Sequence, residues 1–157
     1  ELIAYATAND GDDMFRPSGK GLKKVLKGAM DQAQQKNVTA IDYLNSHATG
    51  TLIGDAIESQ ILAEVLGKQT WVSSTKGQTG HGMGAAGAQE AVYTLLMMKG
   101  SFMAPTANLS NIDKECAGIR HVRNSNEVEL SVVATINSGF GGSNGCLIFR
   151  KPEEAIN

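Results

Sequence analysis

The chain has 157 residues, of which 41% are hydrophobic and 19% charged, a composition typical of a folded globular protein rather than a disordered chain. Its 14 basic and 16 acidic side chains nearly cancel, which excludes the strongly basic surface that nucleic-acid binding requires. It has no apolar run long enough to cross a bilayer and no secretory signal pattern, so we expect a cytoplasmic protein without a membrane partner.

The first half of the chain predicts two strands and two helices. The apolar run Leu2 to Ala8 ends in a turn-rich acidic stretch, as a strand does when it reaches the surface. Ala40 to Leu44 predicts a second strand, and Asp55 to Leu66 a second helix. Between the strands, apolar residues recur from Gly19 at the spacing of one helical face, namely Leu22, Val25, Leu26, Ala29, Met30 and Ala33.

The second half predicts two more elements before a terminal hairpin. A short strand at Trp71 to Ser74 precedes an apolar, Ala/Gly-rich helix from about Gly84 to Met98, which we expect to be buried on several sides. Strands at Glu129 to Ile136 and Cys146 to Arg150 flank a glycine-rich turn and form an antiparallel hairpin. This order favours one α/β layered domain over residues 1–157, with a mixed, mostly parallel sheet.

Polar residues gather at the predicted strand ends, where α/β folds place their sites. His47, Thr49 and Thr51 follow the second strand. The histidine could donate a hydrogen bond to a carbonyl while the threonines hold a polar ligand arm, although His47 taken alone fits a structural role equally well.

A second cluster surrounds a glycine turn at a predicted helix start. Lys76 and His81 flank this turn, and the helix dipole would disfavour a charged imidazole there. A phosphate-binding loop is the alternative, but neither of its glycine spacings occurs in the right context. A third glycine loop surrounds Phe140, where backbone could approach a ligand closely or simply turn a hairpin.

Together these clusters resemble the C-terminal half of the β-ketoacyl-acyl carrier protein synthases, the elongating ketosynthases of the thiolase-like superfamily. The family's N-x-H-[GA]-T-x-T-x-x-G-D, K-x-x-x-G-H-x-x-G-A-A-G and G-F-G-G-x-N motifs all occur here, in the family's order, beginning at Asn45, Lys76 and Gly139. The resemblance implies a thiolase-like layered half. It also implies decarboxylative Claisen condensation of an acyl thioester with a malonyl-carrier thioester, in fatty acid or polyketide synthesis.

The resemblance also assigns roles to individual residues. His47 and His81 match the histidines that assist decarboxylation and stabilise the enolate, and Lys76 and Glu58 match a lysine and a carboxylate near them. The backbone amide of Phe140 matches an oxyanion-hole donor. The hydroxyls that bind the pantetheine arm of the acyl carrier protein are matched by Thr49 and Thr51. The resemblance implies no metal or redox cofactor, and it implies a substrate carried on that phosphopantetheine arm.

The family's cysteine nucleophile has no counterpart in this chain. Cys116 and Cys146 lie outside the family's nucleophile context and form no metal-ligand or disulfide motif, so we expect both thiols to be reduced and inert. Residue 1 is Glu rather than Met. We therefore expect an excised fragment or the C-terminal partner of a split enzyme, inactive alone and missing its N-terminal half.

The glycine loop differs from the family at one position. The family commonly reads N-S-F-G-F-G-G, whereas this chain reads I-N-S-G-F-G-G from Ile136, so an ungapped alignment puts Ser138 at the position of a gating phenylalanine. Ketosynthases of aromatic polyketide systems also carry a small residue there, which suggests a specialised substrate bound beside Ser138. An alignment with a deletion would instead keep Asn137 and Ser138 in register with the family.

Two other functions are compatible with the sequence. One is a thiolase-type acyltransferase that uses coenzyme A, although the setting of His47 favours the ketosynthase branch. The other is a non-catalytic partner subunit of a ketosynthase, although such subunits typically lose the histidines. The resemblance further implies a homodimer of the complete enzyme and apolar surface that packs on the missing half.

Overall fold

The computed structural model describes residues 1–152, which form a mixed sheet with helices on both faces. The strands are β1 (Leu2–Asn9), β2 (Tyr43–Asn45), β3 (Trp71–Ser73), β4 (Phe102–Met103), β5 (Arg120–His121), β6 (Asn126–Glu127), β7 (Val132–Gly139) and β8 (Ser143–Arg150). The α-helices are α1 (Lys20–Gln34), α2 (Leu52–Leu66), α3 (Lys76–Thr79) and α4 (Ala86–Gly100).

Six strands form the main sheet, in the order β1-β8-β7-β2-β3-β5. The pairs β7–β2, β2–β3 and β3–β5 are parallel, whereas β1–β8 and β8–β7 are antiparallel. The mixed, mostly parallel sheet and the antiparallel terminal hairpin are therefore confirmed. Because β2 and β3 are parallel neighbours, the loops that follow them leave the same edge of the sheet.

The helices divide the apolar core into two parts. Helices α1 and α2 cover one face, where Leu26 and Leu62 pack against Leu44 and Ile136 of the sheet. Helix α4 covers the other face, where Met97 packs with Tyr43, Val133 and Phe149. Successive strand residues point to opposite faces, so neighbouring residues such as Tyr43 and Leu44 belong to different parts of the core.

Helix α4 is buried on one face only in the described part of the chain. Its buried positions are Ala86, Glu90, Thr94, Met97 and Met98. On the opposite face Val92 and Leu96 are 53% and 54% exposed, although burial on several sides was predicted. The sequence showed that the helix is apolar on all sides. It did not show that residues 1–152 would pack against only one of these sides.

The remaining differences concern boundaries and short strands. Helix α2 begins at Leu52 rather than Asp55, and the strand predicted from Ala40 begins at Tyr43. Three strands of two residues each were not predicted, since an alternating pattern needs four or more residues to be recognised. The predicted domain extends to residue 157, and residues 153–157 lie outside the described part. Within residues 1–152, no helix has the length and apolar character needed to cross a membrane.

Candidate active site

The site begins where β2 and β3 end side by side. Asn45, the last residue of β2, is fully buried and its amide Nδ2 donates to Thr75 Oγ1 over 3.2 Å. The backbone N–H of Ser46 donates to the carbonyl of Ser73 over 2.8 Å. These bonds hold the segment that carries His47 against the segment that leads into Lys76.

The structure brings the two predicted histidines together. The rings of His47 and His81 meet edge to face, with centroids 5.3 Å apart and an interplanar angle of 81°. His47 is half-buried, whereas His81 is exposed in the described part of the chain. The backbone N–H of Met83 donates to His81 Nδ1 over 3.2 Å, so Nδ1 is an acceptor and the proton of the neutral ring lies on Nε2.

His81 does not stand at the start of the long helix. A 3₁₀ turn at Met83–Ala85 follows it, and α4 begins at Ala86, slightly after the predicted start at about Gly84. Met83 has a positive φ of 50°, which is incompatible with an α-helix, and the flanking glycines favour helix weakly. The helix-dipole argument for a neutral His81 therefore does not apply.

Lys76 forms a buried ion pair with Glu90. Its Nζ donates to Glu90 Oε1, and the two side chains are 6% and 3% exposed. A buried lysine of this kind needs an anionic partner. Glu90 was not predicted as a site residue, although a single acid within an otherwise apolar helix is a signal that could have identified it.

Asn137 connects this ion pair to His47. Its Nδ2 donates to Glu90 Oε2 over 2.9 Å, and its Oδ1 lies 3.3 Å from His47 Nδ1. Asn137 stands on β7, the strand beside β2, on the face that α4 covers. Lys76, Glu90, Asn137 and His47 thus form one continuous chain of polar contacts.

Burial keeps His47 neutral. It lowers the pKa of the imidazole from its usual 6.5 to about 4, and the positive charge of Lys76 acts in the same direction. The acceptor provided by Asn137 opposes this shift and is outweighed. At neutral pH the ring therefore places no positive charge beside Lys76.

Glu58 contacts the main chain of His47 and not its ring. The buried carboxyl on α2 accepts a hydrogen bond from the backbone N–H of His47 over 2.8 Å. Burial and, to a lesser extent, the charge of Asp55 raise the pKa of Glu58, whereas the hydrogen bond from the His47 N–H and the charge of Lys76 lower it. The net result is a pKa of about 8. Glu58 thus orients the His47 segment, whereas Lys76 is paired with Glu90.

The predicted arm-binding threonines are exposed at the start of α2. The hydroxyls of Thr49 and Thr51 lie 3.2 Å apart, on either side of Gly50, whose φ of 79° allows the turn. The backbone N–H of Thr51 donates to Asp55 Oδ1 over 3.3 Å. The assigned role of these hydroxyls stays a prediction.

The glycine loop is a 3₁₀ turn at Phe140–Gly142 between β7 and β8. Phe140 is 75% exposed, and its ring contacts Phe15 at a centroid distance of 5.3 Å. The backbone N–H of Gly141 donates to the carbonyl of Met14 over 2.8 Å. The segment before α1 therefore lies directly against this loop, which sequence periodicity did not indicate.

Ser138 is not brought to the histidines. Its Oγ donates to Asn144 Oδ1 over 2.7 Å, on the side of the sheet where Asp10 lies. Its neighbour Asn137 faces the other way, toward Glu90. The assignment of Ser138 to substrate binding stays a prediction.

The two cysteines lie away from the histidine pair. Cys146 is buried in the core on β8, and burial raises the pKa of its thiol to about 12, which leaves it protonated. Cys116 lines a cavity of about 440 Å³ between α2 and the 106–121 segment, with Glu58 and His121 also in its wall. Among residues 1–152, no group of three or more His, Cys, Asp or Glu side chains could hold a metal ion.

Comparisons with known proteins agree with this arrangement. Residues 1–110 match the family described as β-ketoacyl synthase, C-terminal domain. Over 152 residues the chain is 43% identical to 3-oxoacyl-[acyl-carrier-protein] synthase 1 of Escherichia coli, covering 96% of this chain and 36% of the relative. It is 34% identical to 3-oxoacyl-[acyl-carrier-protein] synthase 2 of Staphylococcus aureus, covering 98% of this chain and 38% of the relative.

A solved β-ketoacyl synthase from Burkholderia phymatum superposes with a TM-score of 0.90 at 36% identity, covering 97% of this chain and 37% of that one. A ketosynthase solved with its chain length factor from Xenorhabdus doucetiae gives 0.85 at 30% identity, with 96% and 39% covered. The chain thus spans less than two fifths of the length of these relatives. On this evidence the chain belongs to the β-ketoacyl synthase family and corresponds to the C-terminal part of its members.

Proposed function

We propose that this chain supplies the decarboxylation site of a 3-oxoacyl-acyl carrier protein synthase. The observation that carries the proposal is the meeting of His47 and His81 beside the buried Lys76–Glu90 pair. Two relatives that are 43% and 34% identical over nearly the whole chain are named as 3-oxoacyl-[acyl-carrier-protein] synthases. In the proposed reaction, an acyl group held as a thioester on a cysteine is extended by two carbons from a malonyl thioester.

The first step breaks the bond between the malonyl carboxylate and the methylene carbon. Carbon dioxide leaves, and the electron pair of that bond becomes an enolate whose negative charge lies on the thioester oxygen. The Nε2–H of His81 is suited to donate to this oxygen, because Nδ1 already accepts from Met83. A neutral His47 fits the same site, because no additional buried charge has to be compensated.

In the second step the enolate carbon attacks the acyl thioester carbonyl. A carbon–carbon bond forms, the carbonyl oxygen becomes an oxyanion, and the cysteine thiolate then leaves as the carbonyl re-forms. We assign the backbone N–H of Phe140 as one donor to this oxyanion. The chemistry draws its driving force from the loss of carbon dioxide and transfers no electrons to a redox cofactor.

The cysteine, the substrate and the partners belong to the complete protein. We propose that a part of the complete protein outside this chain supplies the nucleophile and packs on the exposed side of α4, where Val92 and Leu96 lie. The malonyl group arrives on the phosphopantetheine arm of an acyl carrier protein, with Thr49 and Thr51 along its path. One ketosynthase of the same fold, 24% identical, was solved with its acyl carrier protein. We further propose that the complete enzyme is a homodimer.

The test uses the complete protein that carries this chain, with acyl and malonyl thioesters of acyl carrier protein as substrates. We expect a 3-oxoacyl thioester and one carbon dioxide for each condensation, and no product from the 157-residue chain alone. Condensation of coenzyme A thioesters without release of carbon dioxide would instead identify a thiolase-type acyltransferase. Absence of any product from the complete protein would favour a non-catalytic partner subunit.

A further inference from the structure

The side chain of Asn137 lies between Glu90 and His47 and contacts both. Its Nδ2 is 2.9 Å from Glu90 Oε2, and its Oδ1 is 3.3 Å from His47 Nδ1. A carboxamide has a donating end and an accepting end. Its orientation therefore determines whether the His47 nitrogen that faces it must donate or accept.

The buried ion pair fixes that orientation. Lys76 donates to Glu90 Oε1 within a buried ion pair, and in that pair Glu90 is a carboxylate, whose two oxygens only accept. The amide NH₂ of Asn137 must therefore face Glu90, and its oxygen must face His47. The reverse orientation would place the Asn137 oxygen against a carboxylate oxygen in a buried site, where an unmade hydrogen bond costs the full desolvation of both groups.

This orientation decides where the proton of His47 lies. Facing an acceptor, Nδ1 carries the proton, and a neutral imidazole then has a lone pair on Nε2. The ionisable groups around this ring are Lys76, Glu90, His81 and the Glu58 carboxyl behind its backbone. His81 has the opposite tautomer, because its Nδ1 accepts from the Met83 N–H.

We propose that Asn137 is a positioning residue that fixes His47 as the Nδ1–H tautomer, so that the site contains one imidazole donor, His81, and one imidazole acceptor, His47. The two histidines then bind different groups. His81 donates to the thioester oxygen, whereas Nε2 of His47 accepts from a group that carries a proton, such as water or a thiol. Use of these contacts in a reaction rests on the proposed function, but the tautomers do not.

The tautomers can be measured by ¹⁵N–¹H correlation NMR of the imidazole rings in the histidine-labelled chain. The chain has three histidines, so His81→Gln and His121→Gln variants assign the signals. We expect His47 to show a protonated Nδ1 and an unprotonated Nε2, and His81 to show the reverse. A protonated Nε2 at His47 in the unaltered chain would overturn the proposal.

Glu90→Gln tests the role of Asn137 without changing the shape of the site. The Gln oxygen can still accept from Lys76, which turns its NH₂ toward Asn137. The Asn137 amide should then invert, present its NH₂ to His47 and convert that ring to the Nε2–H tautomer. The matched control is Glu127→Gln at an exposed position, which should leave all three histidine signals in place. An unchanged His47 tautomer in Glu90→Gln would contradict the role of Asn137 in fixing that tautomer.

A kinetic measurement on the complete protein separates this inference from the proposed function. Asn137→Leu should lower kcat for malonyl decarboxylation by about tenfold or more with little change in KM, because the ring is misoriented while substrate contacts remain. Unchanged kcat, together with the expected tautomers, would show that the His47 lone pair is not used. If even the unaltered complete protein released no carbon dioxide, the proposed function would fail while the tautomer assignment stood.

Discussion

Asp10 and Asn144 lie 134 positions apart in the chain, and the Nδ2 of Asn144 donates to Asp10 Oδ1 over 2.9 Å. The same Asn144 amide donates to the carbonyl of Gly142 over 2.8 Å and accepts from Ser138 Oγ. Asp10 thereby connects the segment before α1 to the glycine loop that contains Phe140. The position of the proposed oxyanion donor depends on an aspartate at the opposite end of the sequence.

Asp10→Ala should destabilise the chain by about 2–4 kcal/mol, since hydrogen bonds to charged groups contribute about 1.5–3 kcal/mol each and do not add fully. Besides Asn144, the carboxylate accepts from the backbone N–H groups of Ser18 and Gly21 over 2.7 and 2.8 Å. Chemical denaturation measures the loss. Asp12→Ala is the matched control, because Asp12 pairs with Lys20 at the exposed surface. An equal effect of both substitutions would contradict the structural role of Asp10.

The buried ion pair predicts a strong asymmetry between single and double substitutions. Lys76→Met alone leaves the carboxylate of Glu90 buried without its cation, which should cost about 3–5 kcal/mol of unfolding free energy. Lys76→Met with Glu90→Leu removes both charges and should recover most of that loss. Chemical denaturation of the single and double variants measures the coupling. If the double variant instead lost as much unfolding free energy as the two single substitutions added together, the prediction of a coupled ion pair would be wrong.

His47 should titrate near pH 4, well below the usual range of a histidine. Its folded-state pKa is lowered first by burial and then by Lys76, so the unfolded chain binds an additional proton between about pH 4 and 6.5. This contribution to stability is present above pH 6.5 and is lost as the pH falls toward 4. NMR titration measures the pKa, which should rise in Lys76→Met. A His47 pKa near 6.5 in the unaltered chain would contradict the burial of this ring.

Glu58 predicts a pH dependence of the opposite sign. Burial raises its folded-state pKa to about 8, so the folded chain binds the additional proton between about pH 4.5 and 8. This contribution to stability is present at low pH and is lost as the pH rises through 8. Glu58→Gln keeps an acceptor for the backbone N–H of His47 and cannot ionise, so it should remove this loss. Chemical denaturation at pH 5 and pH 8 measures how much stability each chain loses between these pH values. An equal loss in Glu58→Gln and in the unaltered chain would contradict the raised pKa of Glu58.

Sequence patterns predicted the sheet and the helices because each depends on local periodicity. The family resemblance assigned His47 and His81 to one site, and the structure brings their rings together because both residues follow parallel strands whose ends meet at one edge. Glu90, Asn137 and Asp10 were missed for a physical reason. Their partners lie 14, 90 and 134 positions away along the chain, and local patterns do not identify such partners. Glu90 alone carried a local signal, as the single acid of an otherwise apolar helix.

The exposed side of α4 also shows that a local sequence does not identify distant packing partners. The sequence of the helix shows that it is apolar, but the surface that covers an apolar helix lies elsewhere. Residues 1–152 cover the face that carries Glu90 and Met97 and leave Val92 and Leu96 exposed. The surface proposed to cover this side of α4 lies outside the chain, which spans less than two fifths of the length of its relatives.

Release of carbon dioxide from a malonyl-acyl carrier protein by the complete protein tests the account most directly. We expect His81→Ala to slow this release by about 10²–10³-fold, because a donor to the enolate oxygen is lost, and His47→Ala to slow it strongly as well. His121→Ala is the matched control, since the His121 ring lies against the carbonyl of Cys116, with its Nε2 2.8 Å from that oxygen, and is not part of the His47–His81 pair. Release at an unchanged rate in the His47 and His81 variants would contradict the assignment of this site.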